Sequence, residues 1–101
     1  MIIIHTNPAA GLIEDELEYR GISQAQAARD MGIPRSRLSD IFAGRKGISV
    51  DTALRIERYL GSSASLLLRL QAEFDLNKAQ RDKLPEIKRT VKPAAFILDS
   101  V

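Results

Sequence analysis

One stretch constrains this chain more than any other: residues 23–44, SQAQAARDMGIPRSRLSDIFAG. It reads as two short helices with a glycine between them. Ser23 is a favoured helix cap, and Gln26 three residues on fits a capping-box pattern. Ala25, Ala27, Ala28 and Met31 supply small apolar side chains that permit close helix packing. Gly32 stops this helix, Ile33 is placed inward, and Pro34 starts a second helix predicted over residues 35–43. Leu38, Ile41 and Phe42 share one face of it, and Gly44 ends it. Two helices crossing at roughly 90–120° through a tight turn need a corner residue that accepts left-handed backbone angles, and small side chains where they meet. Gly32 and Ala28 meet those demands.

The flanking segments read as further helices. Asn7-Pro8 is a capping residue followed by a proline suited to the first helical position. Ala9, Ile13 and Leu17 then recur on one face with Leu12 alongside, until Gly21. Glu14, Asp15, Glu16 and Glu18 form a solvated acidic face. Beyond Gly44, the loop Arg45-Lys46-Gly47 leads to Ser49 as a cap, with Ile48 stapling onto Ala53. Ala53, Ile56 and Leu60 mark the buried stripe of a fourth helix with Leu54 at its margin, and Gly61 closes it. Ser62 or Ser63 caps a fifth helix, in which Leu66, Leu67, Leu70 and Phe74 follow the helical period. Leu68 widens that stripe beyond one core face, which makes this helix the expected subunit contact. From Leu84 onward, Pro85 and Pro93 are expected to interrupt any helix, leaving an irregular tail. The apolar runs Ile2-Ile3-Ile4 and Ala94-Ala95-Phe96-Ile97-Leu98 suit packing on this chain or docking on another. The expected architecture is all-α: a five-helix domain over residues 1–83 with a short N-terminal extension and a dimerisation helix at 63–83, then a C-terminal tail over 84–101.

A chain of 101 residues, 45% of them apolar, is sized for one domain with a real core. The net charge of +2 is too small for a general polyanion binder, so any nucleic-acid contact must arise from local placement of charge. Absence of cysteine removes disulfides and thiolate metal sites and fits a reducing, cytoplasmic setting. Met1-Ile2-Ile3-Ile4 is too short for a signal or a membrane span, so a soluble, unexported chain with no membrane partner is expected. His5, the one histidine, lacks an orienter and a nucleophile nearby in sequence. The acidic residues of the first helix lie at mixed spacings without histidine or cysteine, and Gly44-Arg45-Lys46-Gly47 lacks the length and ending of a phosphate-gripping loop. No cofactor, metal or catalytic set is implied.

The second helix of the central pair carries the functional signal. With Leu38, Ile41 and Phe42 facing the core, Ser36 and Asp40 point outward and Arg35 and Arg37 stand at the exposed N-terminal end. Arginine can grip guanine through its two major-groove acceptors, worth roughly 1–3 kcal/mol of discrimination per good pair. Asp40 can accept from a cytosine amino group or orient a neighbouring arginine. Ser39 is a further candidate on the same helix, while Gln24 before it and Arg45-Lys46 after it are placed to hold phosphates. Residues 33–48 carry a local charge of +3, against a strongly acidic first helix. That asymmetry suits an oriented DNA binder, although a solvated basic loop has the same appearance.

These residues also carry a resemblance. Gly21-Ile22-Ser23-Gln24, Met31-Gly32-Ile33-Pro34-Arg35-Ser36-Arg37-Leu38-Ser39, Gly44-Arg45-Lys46-Gly47-Ile48-Ser49, Ala53-Leu54-Arg55 and Leu60-Gly61-Ser62-Ser63, continuing to Leu68-Arg69-Leu70-Gln71 and Phe74-Asp75-Leu76, occur in family order over about three quarters of the chain. The sequence resembles the phage-repressor (XRE/Cro-like) helix-turn-helix proteins and, within them, the HigA-type antitoxins of toxin–antitoxin operons. The late segment ending in Phe74-Asp75-Leu76 narrows the match. Leu66-Leu67 stands where the family often has an aromatic pair, and Pro8-Ala9-Ala10-Gly11 replaces an N-terminal His-Pro-Gly-Glu pattern. The resemblance implies a lambda-repressor-like DNA-binding domain, a homodimer on a palindromic operator in its own promoter, and neutralisation of a small RelE-like ribonuclease toxin. It also implies base readout by Arg35, Ser36 and Asp40, and phosphate contacts from Gln24, Arg37, Arg45 and Lys46. A stand-alone repressor without a toxin and a protein-interaction module on the same scaffold are the alternatives.

Overall fold

Most of the helices begin where a side chain can stand in for the intrahelical partners that the first amides lack. In the computed structural model, which describes residues 7–95, the order is α1 (Pro8–Arg20), α2 (Gln24–Met31), α3 (Arg35–Phe42), α4 (Val50–Leu60), α5 (Ala64–Asp82) and α6 (Leu84–Thr90). Asn7 accepts from the Ala9 amide at 2.9 Å, Ser23 from Gln26 at 3.1 Å, Ser49 from Thr52 at 3.1 Å and Ser63 from Leu66 at 3.1 Å. Of the two candidate caps for α5, Ser63 is the one used, and the Glu57 carboxylate takes the next free amide, that of Ala64, at 2.9 Å. The capping box at α2 is only half made: Gln26 turns its side chain along the helix to Asp30 and Arg29 instead of back to Ser23.

The corner between α2 and α3 follows from Gly32, whose φ of 70° is open to glycine and strained for other residues. Its amide donates to the Arg29 carbonyl and the Ile33 amide to the Ala28 carbonyl, which closes the end of α2 and sends Ile33 inward. The α3 helix ends at Phe42, one residue before the predicted limit.

The buried cluster draws on every element from α1 to α5. Ala9, Ala10, Ile13 and Leu17 come from α1, Ala27, Ala28 and Met31 from α2, Leu38 and Ile41 from α3, Ala53, Ile56 and Leu60 from α4, and Ala64 and Leu67 from α5. Ile33 and Ile48 fill the connecting turns. The α5 helix packs against both α1 and α4, and its buried residues, Ala64 and Leu67, lie in its first turn. Leu12 and Leu66, placed on or beside buried stripes by periodicity, are instead substantially exposed.

One expectation is corrected. The chain forms six helices among the described residues, because Leu84–Thr90 is helical where an irregular tail was expected. Pro85 falls in the first turn of α6, where its missing amide would have had no helical acceptor, so it starts the helix and does not break it. Pro93 follows the end of α6. From Asp75 onward no described side chain is buried. Among the described residues, no helix is long and apolar enough to cross a membrane. The readings made for Ile2-Ile3-Ile4, His5 and Phe96-Ile97-Leu98 fall outside the described residues.

Candidate nucleic-acid interface

The α3 helix is fastened by its underside. Leu38 is fully buried and Ile41 nearly so, and Phe42 packs half-buried against the same cluster. Burying a leucine of this kind contributes roughly 1.5–3 kcal/mol. With that face fixed, the opposite one cannot rotate inward: Arg35, Ser36 and Arg37 are all exposed. They occupy the first turn of a helix whose N-cap, Pro34, offers no side-chain acceptor. The positive end of the helix and two guanidinium groups therefore face the same solvent, an arrangement that favours an anionic partner.

Ser39 and Asp40 are half-buried further along α3. Of the two roles open to Asp40, the geometry places its Oδ1 on Arg45 Nε at 2.7 Å. Its carbonyl accepts from the amides of Arg45 and Lys46 at 2.9 and 3.2 Å. Asp40 thus ties the basic loop to the end of α3. Arg45 and Lys46 remain exposed, and Gln24 opens α2, half-buried. The structure brings Arg35, Ser36, Arg37, Ser39, Asp40, Arg45 and Lys46 together on one short helix and the loop that follows it.

Two tertiary ties to this unit escaped sequence reasoning. Arg55 on α4 donates from Nη1 to the Met31 carbonyl at 2.8 Å and pairs through Nε with Asp51, so α4 braces the corner at Gly32. Gln71 on α5 bonds both backbone groups of Ile48, at the far end of the basic loop. Both link residues more than twenty apart, and periodicity carries no signal for such partners. A cleft of about 550 Å³ lies beside Arg55, lined also by Asp30, Leu54 and Tyr59. There the Tyr59 hydroxyl donates to Asp30 at 2.6 Å. This bond, helped by the Gln26 amide, holds the Asp30 carboxyl below its ordinary value, and the carboxylate in turn pushes the Tyr59 hydroxyl up.

A short helix held from beneath, entered through a glycine corner, with its arginine-bearing end outward, defines a helix-turn-helix domain. The helix-turn-helix family pattern matches residues 13–67. Virulence-associated protein I of Dichelobacter nodosus is 36% identical over 77 residues, which cover 76% of this chain and 71% of that protein. Among solved structures, the Pseudomonas aeruginosa antitoxin HigA, determined with the higBA promoter, is 31% identical with a TM-score of 0.76, over 91% of this chain and 98% of that one. An addiction module antidote protein of the HigA family from Coxiella burnetii is 31% identical with a TM-score of 0.73, over 93% of this chain and all of that one. The chain belongs to the HigA-type antitoxins of the helix-turn-helix family.

Proposed function

We propose that this chain is a sequence-specific DNA-binding repressor and the antitoxin of a type II toxin–antitoxin operon. It acts by binding and not by catalysis. The observation that carries the reading is the outward, uncapped first turn of α3 with Arg35, Ser36 and Arg37 exposed above the buried Leu38 and Ile41. The likeness to a HigA structure determined with its promoter supports DNA as the partner. In this reading α3 enters the major groove. Arg35 and Ser36 meet base edges with Ser39 beside them, Asp40 orients Arg45 at the end of the helix, and Gln24, Arg37, Arg45 and Lys46 hold phosphates on either side. The Asp40–Arg45 ion pair favours the orienting role for Asp40 over direct readout.

Two protomers would read a palindromic operator in the chain's own promoter, with half-site centres roughly 34 Å apart. The second function is neutralisation of a RelE-like ribonuclease toxin in the cytoplasm. A mobility-shift titration on the chain's own promoter, beside a binding assay with the purified product of the adjoining reading frame, tests both functions. Retarded DNA and a stable protein complex are expected. Unaltered DNA mobility at low salt would remove the repressor function, and absence of a protein complex would leave a stand-alone repressor.

A further inference from the structure

We infer that Gln71 of α5 is a positioning residue for DNA binding, holding the loop between α3 and α4 in the conformation that presents Arg45 and Lys46 to the phosphate backbone. The inference rests on the DNA-binding reading above and extends it to a residue remote in sequence from the helix-turn-helix.

The Gln71 carboxamide grips Ile48 at two points. Its Oε1 accepts from the Ile48 amide at 2.6 Å, and its Nε2 donates to the Ile48 carbonyl at 2.8 Å. Holding the amide and the carbonyl of one residue together restricts the two backbone rotations between them. The same Oε1 accepts from Asn7 Nδ2 at 3.0 Å, and Asn7 is the buried cap of α1. One side chain on α5 therefore ties the start of α1 to the exit of the basic loop.

The entry of the loop is fixed separately, by the Asp40 carbonyl on the amides of Arg45 and Lys46 and by the Asp40–Arg45 ion pair. Only Gly47 lies between these two anchorages, so the backbone that carries Arg45 and Lys46 is held at its entry by Asp40 and at its exit by Gln71. Gly47 fits the grip: a Cβ there would stand 3.1 Å from Gln71 Oε1 and 3.3 Å from its Cδ, tighter than ordinary contact. The glycine lets the carboxamide lie flat against the loop.

The grip acts on polar atoms of Ile48 and Asn7 and leaves other supports of both segments standing, since Asn7 still caps α1 through the Ala9 amide. Ile48 is buried through its own side chain and Ser49 caps α4 independently of Gln71. Gln71→Met, of similar length without donor or acceptor, removes the three hydrogen bonds and leaves those anchorages in place.

The test compares the full wild-type chain with Gln71→Met, Lys46→Ala and the double variant, using a labelled duplex of the chain's own promoter over a salt series. Amide exchange at Ile48 is measured without DNA. Gln71→Met should speed Ile48 exchange, weaken promoter binding about tenfold and lower the log–log salt slope by about one to two, since each phosphate contact contributes about 0.9. The ranking of base-substituted operators should stay unchanged, and Lys46→Ala should cost less in the Gln71→Met background than in wild type. Should Gln71→Met fold poorly, Gly47→Ala displaces the carboxamide from the loop side and should give the same signature. Unchanged Ile48 exchange overturns the grip. Faster exchange with an unchanged salt slope, or additive costs with Lys46→Ala, overturns the positioning role. A wild-type chain that shifts no promoter DNA removes the DNA-binding reading and this role with it, whereas a wild type that binds and a Gln71→Met variant that matches it sink the role alone.

Discussion

Arg35 and Lys46 are both exposed cations, yet they stand on different supports. Arg35 is the first residue of a helix pinned by Leu38, whereas Lys46 lies in a loop anchored through backbone bonds. A rigid base suits directional hydrogen bonds to a base edge, and a phosphate tolerates a less exact approach. Arg35→Ala is therefore expected to relax preference at one operator position, losing about 1–3 kcal/mol on the favoured base alone. Lys46→Ala should weaken all sequences alike and lower the salt slope by about one. Titration against operators substituted one position at a time distinguishes the two, and identical profiles would refute the division. At Asp30 the expected readout is a titration. Its carboxyl is held below the ordinary 3.8 by Tyr59 and Gln26, so the associated stabilisation is present above that value and is lost as pH falls through the lowered one. The Tyr59 hydroxyl is raised above 10.0, so its contribution is present below that value and fades as pH rises through the raised one. In Tyr59→Phe, the Asp30 carboxyl resonance should titrate closer to 3.8; an unmoved midpoint would count against the hydroxyl as the main cause.

Helix starts were legible because caps are local: Asn7, Ser23 and Ser49 act on amides two or three residues ahead. Ser49 also donates to the hydroxyl of buried Thr52, so its loss leaves that group short of a partner. Ser49→Ala should cost about 1–2 kcal/mol, read as a fall in the denaturant midpoint at constant slope. The corner was legible for the same reason, since only Gly32 suits a φ of 70°. Less legible was the side chain of Gln26, which has equally local alternatives in Arg29 and Asp30. The α6 helix was missed because Pro85 was read as an interruption, and a proline breaks a helix or begins one according to which residue precedes the first turn. For the reading helix, Leu38→Ala should cost about 2–5 kcal/mol and weaken promoter binding through loss of the folded state. Calorimetry separates that from Arg35→Ala, which should leave the melting temperature within a few degrees of wild type.

Across the whole molecule, the core closes around the N-terminal half of α5, and the chain then runs on through α5 and α6 without burying a side chain. Leu68, on which the expected subunit contact through the fifth helix rested, packs half-buried against the chain's own core, whereas Leu76, Ile87 and Val91 are left exposed and are the residues we propose for that contact. Leu76→Lys is expected to shift the chain from dimer to monomer in sedimentation equilibrium, and to weaken binding to a full operator far more than to an isolated half-site. A wild-type chain that sediments as a monomer, or a variant that sediments as a dimer, would overturn this proposed contact. Charge is unevenly distributed along the chain, with +3 across residues 33–48 against the acidic residues Glu14, Asp15, Glu16 and Glu18 of α1. Coulomb steering would orient its approach to DNA while leaving the weak net charge unchanged.

The amino-acid sequence alone determined the starts of the first four helices, the glycine corner and which face of α3 is apolar, because each depends on side chains within a turn of one another. It therefore placed Arg35, Ser36 and Arg37 outward; Asp40, expected outward with them, is half-buried against Arg45. Tertiary structure decided which carboxylate meets which arginine, that Arg55 braces the corner, and that Gln71 reaches across to the basic loop. Those partners lie far apart along the chain or compete with equally near alternatives, and only closure of the core brings one of them within hydrogen-bonding distance.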